Sequence, residues 1–295
     1  MKGHPATDVP QLRPATWPAI VSYFAAFVLA FTATTALVFG VALSRSSGRA
    51  ISIAFMTDEA TRFALSAPGI MACALVSASM IATVTVVAAR LQARDIVSTL
   101  RLAATRASFV GIVAAVVGMV GLSLATGAAS DLLGLRGQGT MAAIARALER
   151  PPPARLLIAI VTIAIAPAVA EEGLFRGLIQ TRLAARWGRW PSILITALGF
   201  GLVHLDLVQG AVAAVAGIFL GWIADRFGGI RPTIAAHAFN NAAFVAVAAV
   251  GSTGDVTRMG DVALTAGGLM TWILAVVLLR SDLAIRPDTA TSPRE

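Results

Sequence analysis

Charge is what this sequence has least of. Only 13% of its 295 residues are Asp, Glu, Lys or Arg, against roughly 25% in an ordinary soluble domain. Together with 57% hydrophobic residues and a mean hydropathy of +0.81, that excludes a water-soluble globule. Cysteine occurs once, as Cys73 inside an apolar run, which leaves neither a disulfide framework nor a thiolate metal site. The net charge of +8 would suit a nucleic-acid partner. The arginines, however, lie singly or in small groups between apolar runs, the pattern of loops flanking membrane spans, so the lipid bilayer is the expected partner and nucleic acid is not.

Long apolar runs are what the sequence does have. They predict an all-α polytopic membrane bundle of about eight transmembrane helices in one domain, residues 17–280, between a disordered tail at 1–16 and a polar tail at 281–295. The spans are expected near Trp17–Leu43, Pro68–Ala89, Ser108–Thr126, Arg155–Leu183, Ser192–Leu207, Ala211–Ala224, Thr233–Val250 and Val262–Leu279. The first is too long for a signal-peptide core and is read as retained. Arg45, Arg49, Asp58, Glu59 and Arg62 make a polar connection between the first two spans. Met141–Leu148 reads as a short amphipathic helix ended by Pro151-Pro152-Pro153. No internal repeat is present. With eight spans, both tails and the even-numbered loops carry 14 basic residues against eight in the odd-numbered loops. A cell-membrane protein with both termini cytoplasmic is therefore expected.

Against this background Glu171-Glu172 stands out. The chain has five glutamates, and two adjoin in an apolar segment where each charge costs roughly 2.5–3.5 kcal/mol. Glu172 and Arg176 are four apart and share a helix face, so they can form an ion pair. Glu171 points about 100° away and lacks that partner. A carboxylate left alone in an apolar setting suits a general base. Two of the three histidines also lie in apolar spans. His204 follows Phe200 by four residues, and His237 precedes Asn241 by four, with Asn240 as a competitor for the same role. Each motif alone could be interhelical glue. Together they supply a base, an imidazole and paired donors, the parts needed for water-driven hydrolysis of a carbonyl.

Glu171-Glu172 with Arg176, Phe200 with His204, and His237 with Asn241 form EExxxR, FxxxH and HxxxN motifs. In order and spacing the chain resembles the CAAX-protease and bacteriocin-processing family of intramembrane glutamic endopeptidases, relatives of the Ras-converting enzyme. The resemblance covers roughly Leu156 to Val250, a catalytic core of 156–250. It includes Gly217 and Gly221, a pair four apart that lets helices approach closely. It implies that Glu171 and His204 activate water, that His237 and Asn241 stabilise the oxyanion, and that Glu172, Arg176 and Phe200 support the site. It implies attack by water without a covalent intermediate or cofactor, on a membrane-associated protein or peptide. One alternative is a zinc protease with Glu171, His204 and His237 as ligands, although no HExxH segment exists. Another is a non-catalytic immunity or partner-binding protein. A proton-coupled carrier fits poorly, because the polar residues crowd into the second half. Substrate identity and oligomeric state stay open.

Overall fold

The computed structural model describes residues 15–46, 51–92, 95–103, 105–251 and 256–284. Most of the two expected tails, and Arg49 in the first polar connection, lie outside the described residues. Among those described there is no strand, and the chain is a succession of helices. The long ones are α1 (Trp17–Ser44), α3 (Ala67–Gln92), α5 (Phe109–Leu132), α7 (Pro153–Trp187), α9 (Leu207–Phe227), α10 (Arg231–Val250) and α11 (Arg258–Ala284). These seven are long and apolar enough to cross a membrane. Shorter helices are α2 (Ile53–Ala64), α4 (Ile96–Thr99), α6 (Gly139–Ala147) and α8 (Arg189–Leu202).

The side-chain pattern is that of a bundle in lipid. Alanines such as Ala19, Ala26, Ala78, Ala115 and Ala236 are buried, while Phe24, Phe31, Leu29, Leu198 and Leu278 are exposed. Small residues at helix contacts let backbones approach, and large apolar residues turned outward meet acyl chains. α11 packs along α5, α1 along α3, and α10 along α7.

Two expectations change. The polar connection after α1 folds as the amphipathic α2: Ser52 caps it by accepting from the Phe55 amide at 3.1 Å, and Arg62 pairs with Asp58 one turn earlier. The expected fifth span is only the 14-residue α8, about 21 Å long against a hydrocarbon core of about 30 Å. It ends in a turn where Leu205 takes φ 52°, and Asp206 then caps α9 through its bond from the Gln209 amide. α8 and α9 form a tight hairpin, closed at the arginine-bearing end by Arg189–Asp225 at 2.8 Å.

α7 is one continuous helix of 35 residues, with two π-helical stretches, Ile160–Ile165 and Gly173–Gln180, on either side of the glutamate pair. Pro167 lacks an amide hydrogen and its ring crowds the preceding turn. The wider π turns just before it absorb that misfit without breaking the helix.

The bundle has two distinguishable ends. α3, α7, α9 and α11 finish, and α1, α5, α8 and α10 begin, at the same face. There Arg226 donates to the Leu279 and Arg280 carbonyls, and Arg101 to that of Ala224. α2, α6 and the α8–α9 turn belong to the opposite face, where the Thr140 amide and hydroxyl donate to Asp206.

The α8–α9 contact is so close that a Cβ on Gly201 would lie 2.5 Å from the Gly210 carbonyl oxygen, whereas one on Gly40 would meet nothing. Gly201→Ala should therefore destabilise the protein by about 1–3 kcal/mol through overpacking. Gly40→Ala should leave it unchanged or raise its stability by up to about 1 kcal/mol. Thermal unfolding of both variants in one detergent checks this.

Candidate active site

The polar centre is built on α7. Glu172 and Arg176 are both fully buried, and the guanidinium donates to Glu172 Oε1 at 2.6 Å. The sequence spacing had placed the two on one face, and the π turns keep them in contact. Arg176 also donates to the Gly217 carbonyl at 3.3 Å and lies 4.6 Å from the Phe200 ring centroid. One turn on, Gln180 donates to the Gly221 carbonyl at 2.9 Å. The glycine pair thus does more than allow close approach: without side chains, it leaves two carbonyls open to donors from α7. Gln180 is not among the residues that the three motifs single out. Its signal was available, since an amide four residues after Arg176 matches the four-residue spacing of Gly217 and Gly221.

α10 brings His237 to the same pair. Nδ1 lies 3.0 Å from Glu172 Oε1, and Nε2 lies 3.8 Å from Glu171 Oε2. The Phe200 ring meets His237 edge-on at 5.8 Å and His204 at 5.3 Å. His204 Nδ1 is 2.9 Å from the Phe200 carbonyl. A carbonyl and an ionised carboxylate only accept, so both imidazoles hold a proton on Nδ1 and present Nε2 for other work.

Glu171 is turned differently from its neighbour. It is partly exposed and, with His204, lines a cavity of about 250 Å³. The walls are Tyr23, Phe27 and Phe31 of α1, Ser77 and Ile81 of α3, and Phe175 of α7. His237 stands behind Glu171 rather than in that wall. Asn241, one turn further along α10, is half-buried, and neither it nor Asn240 has a hydrogen-bond partner among the described residues. The structure thus joins Glu171, Glu172, Arg176, Phe200, His204 and His237 in one contiguous cluster and leaves Asn241 at its edge. Among the described residues no three of His, Cys, Asp and Glu are grouped so as to hold a metal ion.

Such a bundle, with an ion pair buried in its centre and a glutamate and a histidine on an apolar cavity, defines a multi-pass membrane protein with a polar site between its helices. Residues 153–243 match the family model described as type II CAAX prenyl endopeptidase Rce1-like. The segment that carries the site is thus similar to that family. No curated protein and no solved structure matches the chain.

The turn that carries His204 is fixed by Asp206, whose two oxygens take the Gln209 amide at 2.9 Å and the Thr140 amide at 2.7 Å. These backbone bonds lower the Asp206 pKa below the usual carboxylate value. A lowered folded pKa adds stability that is whole above the unfolded value, about 3.9, and is lost as pH falls through the folded value. Acid should therefore loosen the α6–turn contact, and Asp206→Asn should flatten that part of the pH–stability curve. Unfolding temperature measured from neutral pH down to about pH 3 tests it.

Proposed function

We propose that this protein hydrolyses a peptide bond of a membrane-associated protein or peptide, with Glu171 and His204 activating the attacking water. The observation that carries the reading is that these two side chains, alone among the cluster, face the cavity, while Glu172 and Arg176 are fully buried behind them. Water bound between Glu171 and His204 Nε2 gives up a proton as its oxygen attacks the carbonyl carbon. The hydroxyl ends on the new carboxylate, and the proton passes to the leaving amine. No acyl-enzyme is formed. His237 and Asn241 are assigned to the oxyanion. Donation from His237 to the oxyanion requires a proton on Nε2 besides the one on Nδ1 that Glu172 accepts. Asn241 has its amide free for the same task.

The arginine count supports a cell-membrane protein with both termini in the cytoplasm. No metal takes part in this scheme. If the zinc alternative held, Glu171, His204 and His237 would be its ligands.

Purified protein in detergent, incubated with a quenched peptide library, separates the readings. Wild type should cleave with or without a strong zinc chelator, and Glu171→Gln should lose about 10²–10⁴-fold, the usual worth of a general base. Cleavage abolished by the chelator and restored by zinc would replace this mechanism with metal hydrolysis. Cleavage undiminished in Glu171→Gln would remove Glu171 from the chemistry.

A further inference from the structure

The cavity that holds Glu171 and His204 has one closed end and one open end. At the closed end the Tyr23 hydroxyl donates to the Gly199 carbonyl at 3.1 Å. The Tyr23 ring meets Phe175 edge-on at 6.2 Å, and Phe175 meets Phe200 at 5.1 Å. Beyond this aromatic layer, towards the face where α3 and α7 end, buried Ala19, Ala89, Leu100, Leu178 and Leu183 fill the core. In the other direction the walls continue. On α1 they run from Tyr23 through Phe27 and Phe31 to Thr34, and on α3 from Ile81 back to Ser77. Tyr23 to Thr34 is three turns, about 16 Å. α1 leads away from the closed face and α3 leads towards it, so both walls run to the same opposite face. There Phe31 is exposed, and Thr34 and Ser77 are half-buried.

The two faces differ in charge. At the closed face, Arg182 and Arg186 end α7 and Arg231 begins α10. Among the described residues Asp95, Asp225 and Asp282 are the acids there. At the open face four arginines have acidic partners, Arg45 with Glu59, Arg62 with Asp58, Arg136 with Asp261 and Arg150 with Glu149, and Arg146, Arg155 and Arg258 lie there as well. Counted over the sequence, the tails and loops at the closed face carry 14 basic residues against eight at the open face, and such an excess in short loops marks the cytoplasmic side whatever the acids beside it. The closed end of the cavity therefore points to the cytoplasm.

We propose that the substrate reaches the site from the extracytoplasmic side. On this assignment, which rests on the hydrolytic reading above, the substrate is an exported or outward-presented polypeptide. Its apolar, membrane-seated segment lies along Phe27 and Phe31 of α1 and Ile81 of α3, with the scissile carbonyl at Glu171 and His204. A substrate offered from the cytoplasmic side would meet the sealed aromatic layer instead.

The test is thiol accessibility in sealed cells whose membrane carries the full chain. Cys73→Ala removes the native thiol. Single cysteines are then placed at Thr34 and Ser77 in the cavity, at Leu133 on the open face and at Leu91 on the closed one. A small, charged, membrane-impermeant methanethiosulfonate is added before or after permeabilisation. Thr34→Cys, Ser77→Cys and Leu133→Cys should react in sealed cells, and Leu91→Cys only after permeabilisation. Protection of Thr34→Cys and Ser77→Cys until the cells are opened, or no reaction under either condition, overturns the proposal. So does reaction of Leu91→Cys from outside. Labelling requires no turnover, so a protein that labels as expected yet cleaves nothing would refute the hydrolytic reading separately.

Discussion

Everything in the site depends on one ion pair that has been taken out of water. Glu172 and Arg176 are both fully buried, 2.6 Å apart. Removing two such charges from solvent costs several kcal/mol per ion, which their mutual attraction offsets only when further partners complete the geometry. Those partners come from three other helices: the Gly217 carbonyl of α9, His237 of α10, and the Phe200 ring of α8 beneath the guanidinium. The need to satisfy one pair therefore fixes where α8, α9 and α10 stand against α7. Positions of both histidines follow from it, because His237 bonds Glu172 directly and His204 hangs from the Phe200 carbonyl.

The same constraint explains why α7 is not a uniform α-helix. A buried Arg176 and Gln180 must both reach carbonyls on α9, while the next residue after Glu171 must turn inward and Glu171 itself outward. The π stretches at Ile160–Ile165 and Gly173–Gln180 widen the helix on each side of that pair. One allows Pro167 to remain in a continuous helix, and the other sets the register of Arg176 and Gln180. Such single-turn widenings are frequent at functional sites because they aim a side chain without ending the helix.

The polar cluster was more legible in the sequence than the architecture around it. The four-residue spacings of Glu172 with Arg176 and of Phe200 with His204 were legible because neighbours on a helix face meet whatever the tertiary fold does. Which helices flank the cavity was not legible, since α1 and α3 contribute only apolar residues, and apolar periodicity does not say which neighbour a face meets. Hydropathy alone makes α8 a full span, because it does not register the turn at Leu205, a non-glycine residue at positive φ. α2 reads as a connection because charges interrupt its apolar run, although Ser52 three residues before Phe55 is an N-cap signal. Gln180 escaped notice because its value lies in the paired glycine carbonyls of another helix.

The measurement that bears most directly on this division of labour is a comparison of unfolding and turnover for two isosteric variants, Glu171→Gln and Glu172→Gln, in the same lipid. Glu172→Gln leaves a buried guanidinium without its counter-charge and should cost about 3–5 kcal/mol of stability. Glu171→Gln, at the cavity wall, should unfold with the wild type while its turnover collapses. Equal losses of stability in both variants, or wild-type turnover in Glu171→Gln, would contradict the separation of one buried, supporting carboxylate from one reactive carboxylate at the cavity wall.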